Sequence, residues 1–143
     1  MVAQLALGSV VIAGSVIVQV LFIAMAESWL RRREAWLARP PHLLRSTLGL
    51  AAVTLWLMLA HTVGVWLWAV TFLAVGVFEG LEPALYFSGV AFTTLGFGDV
   101  LVGREWRLLS GLAAANGLLI FGISTAFLVE ALRAIRQAQG GDL

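Results

Sequence analysis

The chain alternates between long stretches free of ionisable acids and bases and short clusters that hold nearly all of them. Residues 1–26, 46–78 and 108–129 contain no Asp, Glu, Lys or Arg, and neither does the shorter stretch 83–98. An ionised side chain at the bilayer centre costs at least about 2.5 kcal/mol, so the charge-free stretches mark where the chain can lie in lipid. Crossing the hydrocarbon core takes about 20 helical residues at about 1.5 Å each. The first three stretches are long enough. The fourth, 16 residues with Pro83 and three glycines, is too short to cross and return as ordinary helix, and it reads as a re-entrant segment. The pattern predicts an all-α membrane protein with three transmembrane helices and one re-entrant loop.

Composition agrees with this reading. Of the 143 residues, 61% are hydrophobic and only 12% charged, about half the charge of a typical soluble domain. With no cysteine and two histidines 19 positions apart, disulfide frameworks, thiol nucleophiles and ordinary metal cages are excluded. Nine arginines and no lysine, at net charge +1, give no long basic tract of the kind that binds nucleic acid, so the expected partner is lipid. The spans carry no paired carboxylate or activated nucleophile, so an enzyme is not expected, and no cofactor is implied.

Charge placement predicts orientation. The first stretch lacks a basic leader and is followed by Arg31, Arg32 and Arg33, a stop-transfer pattern rather than a secretory signal. By the positive-inside rule the arginine cluster is cytoplasmic, the N-terminus outside and the C-terminus cytoplasmic. That places the chain as a multi-pass protein of the plasma (inner) membrane. Glu79, Glu82, Asp99 and Glu105 then fall outside and make the external mouth acidic.

Local punctuation sets the expected boundaries. These are an N-terminal helix over 1–38, a cytoplasmic linker over 39–45, a module over 46–136 and a frayed tail over 137–143. Within the module fall an outer helix (46–79, with Ser46 as N-cap and a bend near Gly64 or Gly76), a pore helix and loop (82–99) and an inner helix (105–136). Trp29 and Trp36 suit an inner aromatic belt and Trp66, Trp68 and Trp106 an outer one, which leaves Trp56 for helix packing.

The chemistry lies in 82–99. Pro83 suits the first turn of a helix, where its missing N–H would have no partner, and this helix aims the negative pole of its dipole into the membrane, favouring a cation. Thr93-Thr94-Leu95-Gly96-Phe97-Gly98-Asp99 follows. Non-helical backbone at membrane depth is tolerated only where protein, water or ions satisfy it. Gly96 and Gly98 can adopt positive φ without steric cost, so successive carbonyls can be turned to one side. Four copies around an axis would give a ring of four oxygens at each level, enough to replace a hydration shell. The function therefore calls for a tetramer.

This segment resembles the pore loop of the potassium-channel superfamily, whose signature is Thr-Thr-x-Gly-(Tyr/Phe)-Gly-Asp, and the likeness extends over about residues 48–133 as a bacterial-type two-helix module with an extra N-terminal helix. The resemblance implies a homotetrameric potassium channel, with ions held by the carbonyls of Thr94, Leu95, Gly96 and Phe97 and by the Thr94 hydroxyl. Thr93 and Gly98 would support the filter, Asp99 would sit at its outer mouth, and Tyr86 and Phe87 would form the aromatic cuff. Potassium would be the permeant ligand. Leu95 stands where the family has Val or Ile, Phe97 replaces the commoner Tyr and removes a tethering hydroxyl, and Val90 leaves no buried carboxylate to bridge to Asp99. Those departures leave open a weakly selective cation channel; a non-conducting membrane assembly subunit is the alternative from another class.

Residues 108–129 are rich in small side chains that favour close helix packing, and Gly117 and Gly122 are the candidate hinges. Asn116 either lines the cavity or bonds a neighbouring helix, and His61 is expected to bond an adjacent helix. Ser124 and Thr125 are expected to bond their own helix. The N-terminal helix sets topology, and nothing in its residues assigns it a role beyond that or a peripheral packing layer.

Overall fold

Each long charge-free stretch is covered over most of its length by a helix that runs past it at one or both ends. The computed structural model describes residues 1–140. In chain order it contains α1 (Val2–Arg32), the single-turn α2 (Glu34–Leu37), α3 (His42–Ala74), α4 (Leu81–Phe92), a 3₁₀ turn (Arg104–Trp106) and α5 (Arg107–Ala138). No strand occurs among the described residues. The helices α1 and α3, and the one formed by α5 with the turn before it, are long and apolar enough to cross a membrane. The protein is an integral membrane protein.

Helix α3 begins at His42, four residues before the expected cap. Pro41 is extended (φ −76°, ψ 124°) and caps the helix, while the Ser46 hydroxyl donates to the His42 carbonyl at 2.9 Å from one turn inside. Absence of charge limits what can enter lipid but not what can be helical, so Arg45 simply extends the helix beyond the span. The far end also differs, because α3 runs unbroken past Gly64 and stops at Ala74. Gly76 turns there at φ +73°. In the expected frayed tail, α5 continues through Ala138 and Gln139 is hydrogen-bonded; residues 141–143 lie outside the described residues.

Helix α1 packs on both α3 and α5, and α4 wedges between α3 and α5. The α1 N-terminus, where Gln4 donates to the Glu105 carbonyl, shares one end of the bundle with α4. The α1–α2–α3 elbow and the C-terminus of α5 share the other. One apolar cluster forms around Trp68, Phe72, Phe92 and Leu109, and a second around Leu30, Leu37, Leu57 and Ile135 at the elbow. Trp68 is completely buried in the first cluster, so it is a core residue and not a belt anchor. Trp56 packs as expected, stacked on Phe22 with 4.7 Å between centroids and donating to the Phe22 carbonyl at 2.9 Å.

Between the clusters lies a layer of buried polar side chains that ties α1 to α5. Asn116 Nδ2 donates to Ser15 Oγ at 2.6 Å, and Gln19 Nε2 donates to Ser124 Oγ at 2.8 Å. His61 Nδ1 lies 2.7 Å from the Leu57 carbonyl oxygen. That fixes Nε2 of a neutral ring as an acceptor, 3.2 Å from Ser124 Oγ. Asn116 and His61 thus each bond an adjacent helix. Thr125 bonds only its own helix, at the Phe121 carbonyl, whereas Ser124 accepts from Gln19 on α1 and shares its single hydrogen between the Ile120 carbonyl and His61 Nε2 on α3. On α1 the buried positions Gly8, Val11, Ser15 and Gln19 follow the three-to-four spacing of one helix face.

Candidate ion-conduction site

Helix α4 starts after extended Gly80, with Pro83 in its first turn. Its buried stripe, Ala84, Phe87, Ser88 and Phe92, faces α3 and α5. Phe92 fixes the inner end of α4. A Cβ at Gly64 would lie 2.9 Å from the Phe92 ring, and one at Gly117 would overlap the Phe92 carbonyl. Both glycines are therefore required for this close approach. Gly122 has no such contact; a Cβ there would meet open space. Helix α5 is continuous through both.

The chain leaves α4 through a Schellman turn, in which the Thr94 N–H bonds the Ala91 carbonyl at 2.9 Å and the Leu95 N–H the Val90 carbonyl at 3.0 Å. This turn requires a left-handed residue just past the cap, a place usually taken by Gly. Here it is Thr94, at φ +60°, a true outlier for a β-branched residue. Gly96 follows at φ +59° and Gly98 at φ +78°, and no other residue of the segment has positive φ. The sign of φ therefore alternates along 94–98. An ordinary strand points neighbouring groups to opposite sides; alternating handedness is what allows successive carbonyls to point to the same side. Sequence reasoning anticipated the two glycines but not Thr94, since no propensity places a β-branched residue there.

Residues 93–99 are all exposed, with Leu95 57% and Phe97 65% accessible. Of the aromatic pair, Tyr86 reaches this segment and Phe87 turns away from it. Phe87 packs edge-on against Phe72 at 5.2 Å. The Tyr86 hydroxyl donates to Asp99 Oδ2 at 2.5 Å. A phenol on α4 thus supplies a tether that neither Val90 nor Phe97 can make. The sequence signal for it is the hydroxyl-bearing aromatic of α4, Tyr86. The Tyr86 hydrogen bond holds the Asp99 carboxyl below its usual range, and Asp99 in turn raises the Tyr86 phenol above its usual range. Glu79, Glu82 and Glu105 are exposed on segments at this same end of the bundle. No group of three or more His, Cys, Asp or Glu suited to a metal ion occurs among the described residues.

A family model described as "Ion channel" matches residues 46–134, from the start of α3 to near the end of α5. Comparison with curated proteins and with solved structures finds no match.

Proposed function

Because the chain belongs to this ion-channel family, and not to a family of enzymes, we propose that it is a homotetrameric potassium-selective channel. The observation that carries the reading is the alternation of φ at Thr94, Gly96 and Gly98 on a wholly exposed segment. Exposed apolar side chains on the long helices need only lipid. Exposed irregular backbone between spans needs a polar partner, and a column of carbonyls turned to one side suits a dehydrated cation. In this reading α4 is a re-entrant pore helix, and potassium is held by the carbonyls of Thr94, Leu95, Gly96 and Phe97 with the Thr94 hydroxyl. Asp99 stands at the outer mouth under the Tyr86 tether, with Thr93 and Gly98 in support.

One subunit supplies one oxygen per level, so the site is completed by three further copies, which also cover Leu95 and Phe97. In this reading the elbow and C-terminus are cytoplasmic and the N-terminus outside, as the positive-inside rule suggests for the arginine clusters, and the membrane is the plasma (inner) membrane. Of the two hinge candidates, Gly122 is the better placed, since Gly117 is committed to Phe92.

The test is potassium flux into liposomes containing the purified protein, together with cross-linking for subunit number. The reading expects a homotetramer whose flux is lost in Gly96→Ala. Equal flux in that variant would defeat it, and a bi-ionic potassium and sodium potential near zero would favour a weakly selective cation channel instead. Cross-linked hetero-oligomers without a homotetramer would favour a non-conducting subunit.

A further inference from the structure

The lower end of α5 is held by a part of the chain outside the channel-family match. Between the breaks at Arg33 and Pro40–Pro41, α2 is a single turn, too short to persist by its own hydrogen bonds. What places it is Leu37, which is 2% exposed. Its seat is made by an absent side chain: a Cβ at Gly49 would lie 3.1 Å from Leu37 and 3.3 Å from Ile135.

Across this seat reaches Gln139, just past α5. Its Nε2 donates to the Leu37 carbonyl at 3.1 Å and to the His42 carbonyl at 3.2 Å, and its Oε1 lies 3.0 Å from the Ser46 hydroxyl, whose single hydrogen is shared with the His42 carbonyl. The Leu37 carbonyl ends a helix and lacks an intrahelical partner, so Gln139 caps it from another element. Higher up, α5 is tied to α1 through Asn116–Ser15 and Ser124–Gln19, both buried.

These ties differ in what replaces them when broken. Asn116 and Ser124 lie in the charge-free stretch, where no water takes over a lost hydrogen bond. Gln139 lies beyond it, among arginines at the polar boundary, where water can. We propose that the α2 elbow is a releasable latch on the pore-lining helix. With Leu37 seated and Gln139 bonded, the lower half of α5 is held against α2 and the start of α3. Unseating Leu37 frees that half to swing, while the upper ties keep Phe92 and the 93–99 segment in place. The latch rests on the channel reading, since only in a pore does this movement gate conduction.

Because the chain has no native cysteine, Leu37→Cys combined with Gln139→Cys can be bridged by a short, reducible bifunctional thiol reagent and recorded in planar bilayers. Bridged channels are expected to stay at one conductance level and to resume switching on reduction; bridged channels that switch as before overturn the latch. Gln139→Ala, recorded separately, is expected to shift the open-to-closed ratio roughly threefold or more with unchanged reversal potential. A shifted reversal potential with an unchanged ratio also overturns it. The cysteine pair is compared with itself before and after reduction, so the test survives poor folding of other variants. Wild-type protein that carries no current defeats the channel reading itself; wild-type current with indifferent bridged channels defeats only the latch.

Discussion

Helices α3 and α4 end in the same hydrogen-bonded turn, but α3 places Gly76 at the left-handed position and α4 places Thr94 there. At the end of α3 the Val77 N–H bonds the Phe72 carbonyl and the Gly76 N–H the Leu73 carbonyl, both at 3.0 Å. After Gly76 the chain turns off toward α4, and its positive φ is isolated. After Thr94 the same conformation recurs at Gly96 and Gly98. A left-handed conformation costs a residue with a Cβ roughly 1–2 kcal/mol, a cost glycine avoids. An ordinary connection is built with the residue that suits it. The second turn accepts strain, and strained residues cluster where a site needs them. What threonine brings that glycine lacks is a hydroxyl, which in the proposed filter stands at the inner end of the carbonyl column.

Four substitutions break or sharpen this contrast. The largest effect is expected from Gly96→Ala. A strain of about 1–2 kcal/mol per copy becomes roughly 4–8 kcal/mol over four subunits, so liposome flux should fall at least about a hundredfold. Next is Gly76→Thr, which puts into the plain turn the residue the other one carries. Stability in detergent should drop by about 1–2 kcal/mol, with flux per assembled channel unchanged. The reverse exchange, Thr94→Gly, should leave thermal stability equal or raised by up to about 1 kcal/mol. Discrimination between potassium and sodium should nonetheless decline, as read from bi-ionic potentials.

The smallest effect is expected from Tyr86→Phe, which removes the tether to Asp99 and should make sustained potassium flux decay faster without changing its initial rate. The pH dependence of the tether follows from its two groups. The Asp99 carboxyl is lowered, so its contribution is present above the ordinary carboxylate value and is lost only as pH falls through the lowered one. The Tyr86 phenol is raised, so its contribution is present below the ordinary phenol value and is lost as pH rises through the raised one. Sustained flux should therefore be flat between about pH 5 and pH 9, and a pH titration of the decay rate checks it.

The parts of this molecule legible in the sequence are those fixed by solvent. Lipid excludes charge, so the three spans could be read from charge-free stretches, and the spacing of Gly96 and Gly98 announced a backbone of special conformation. What escaped reading depends on neighbours. Ser46 looked like a cap because the charges before it hid the true start at His42. Trp68 looked like a belt residue because an indole suits an interface, whereas α3 points it into the core. Ser15 and Gln19 gave no sign of bonding α5, because their partners are about a hundred positions away. The close contact of Gly117 with Phe92 was likewise hidden, because it depends on where α4 ends against α5. Thr94 could not be foreseen at all, since its conformation runs against its own preference.

The most direct test of the central claim is an experimental map of the purified protein in potassium. The account predicts four copies around one axis, with density for ions in a line between the carbonyls of Thr94, Leu95, Gly96 and Phe97. Four copies whose 93–99 segments are splayed apart or turned toward lipid, with no ion between them, would contradict it.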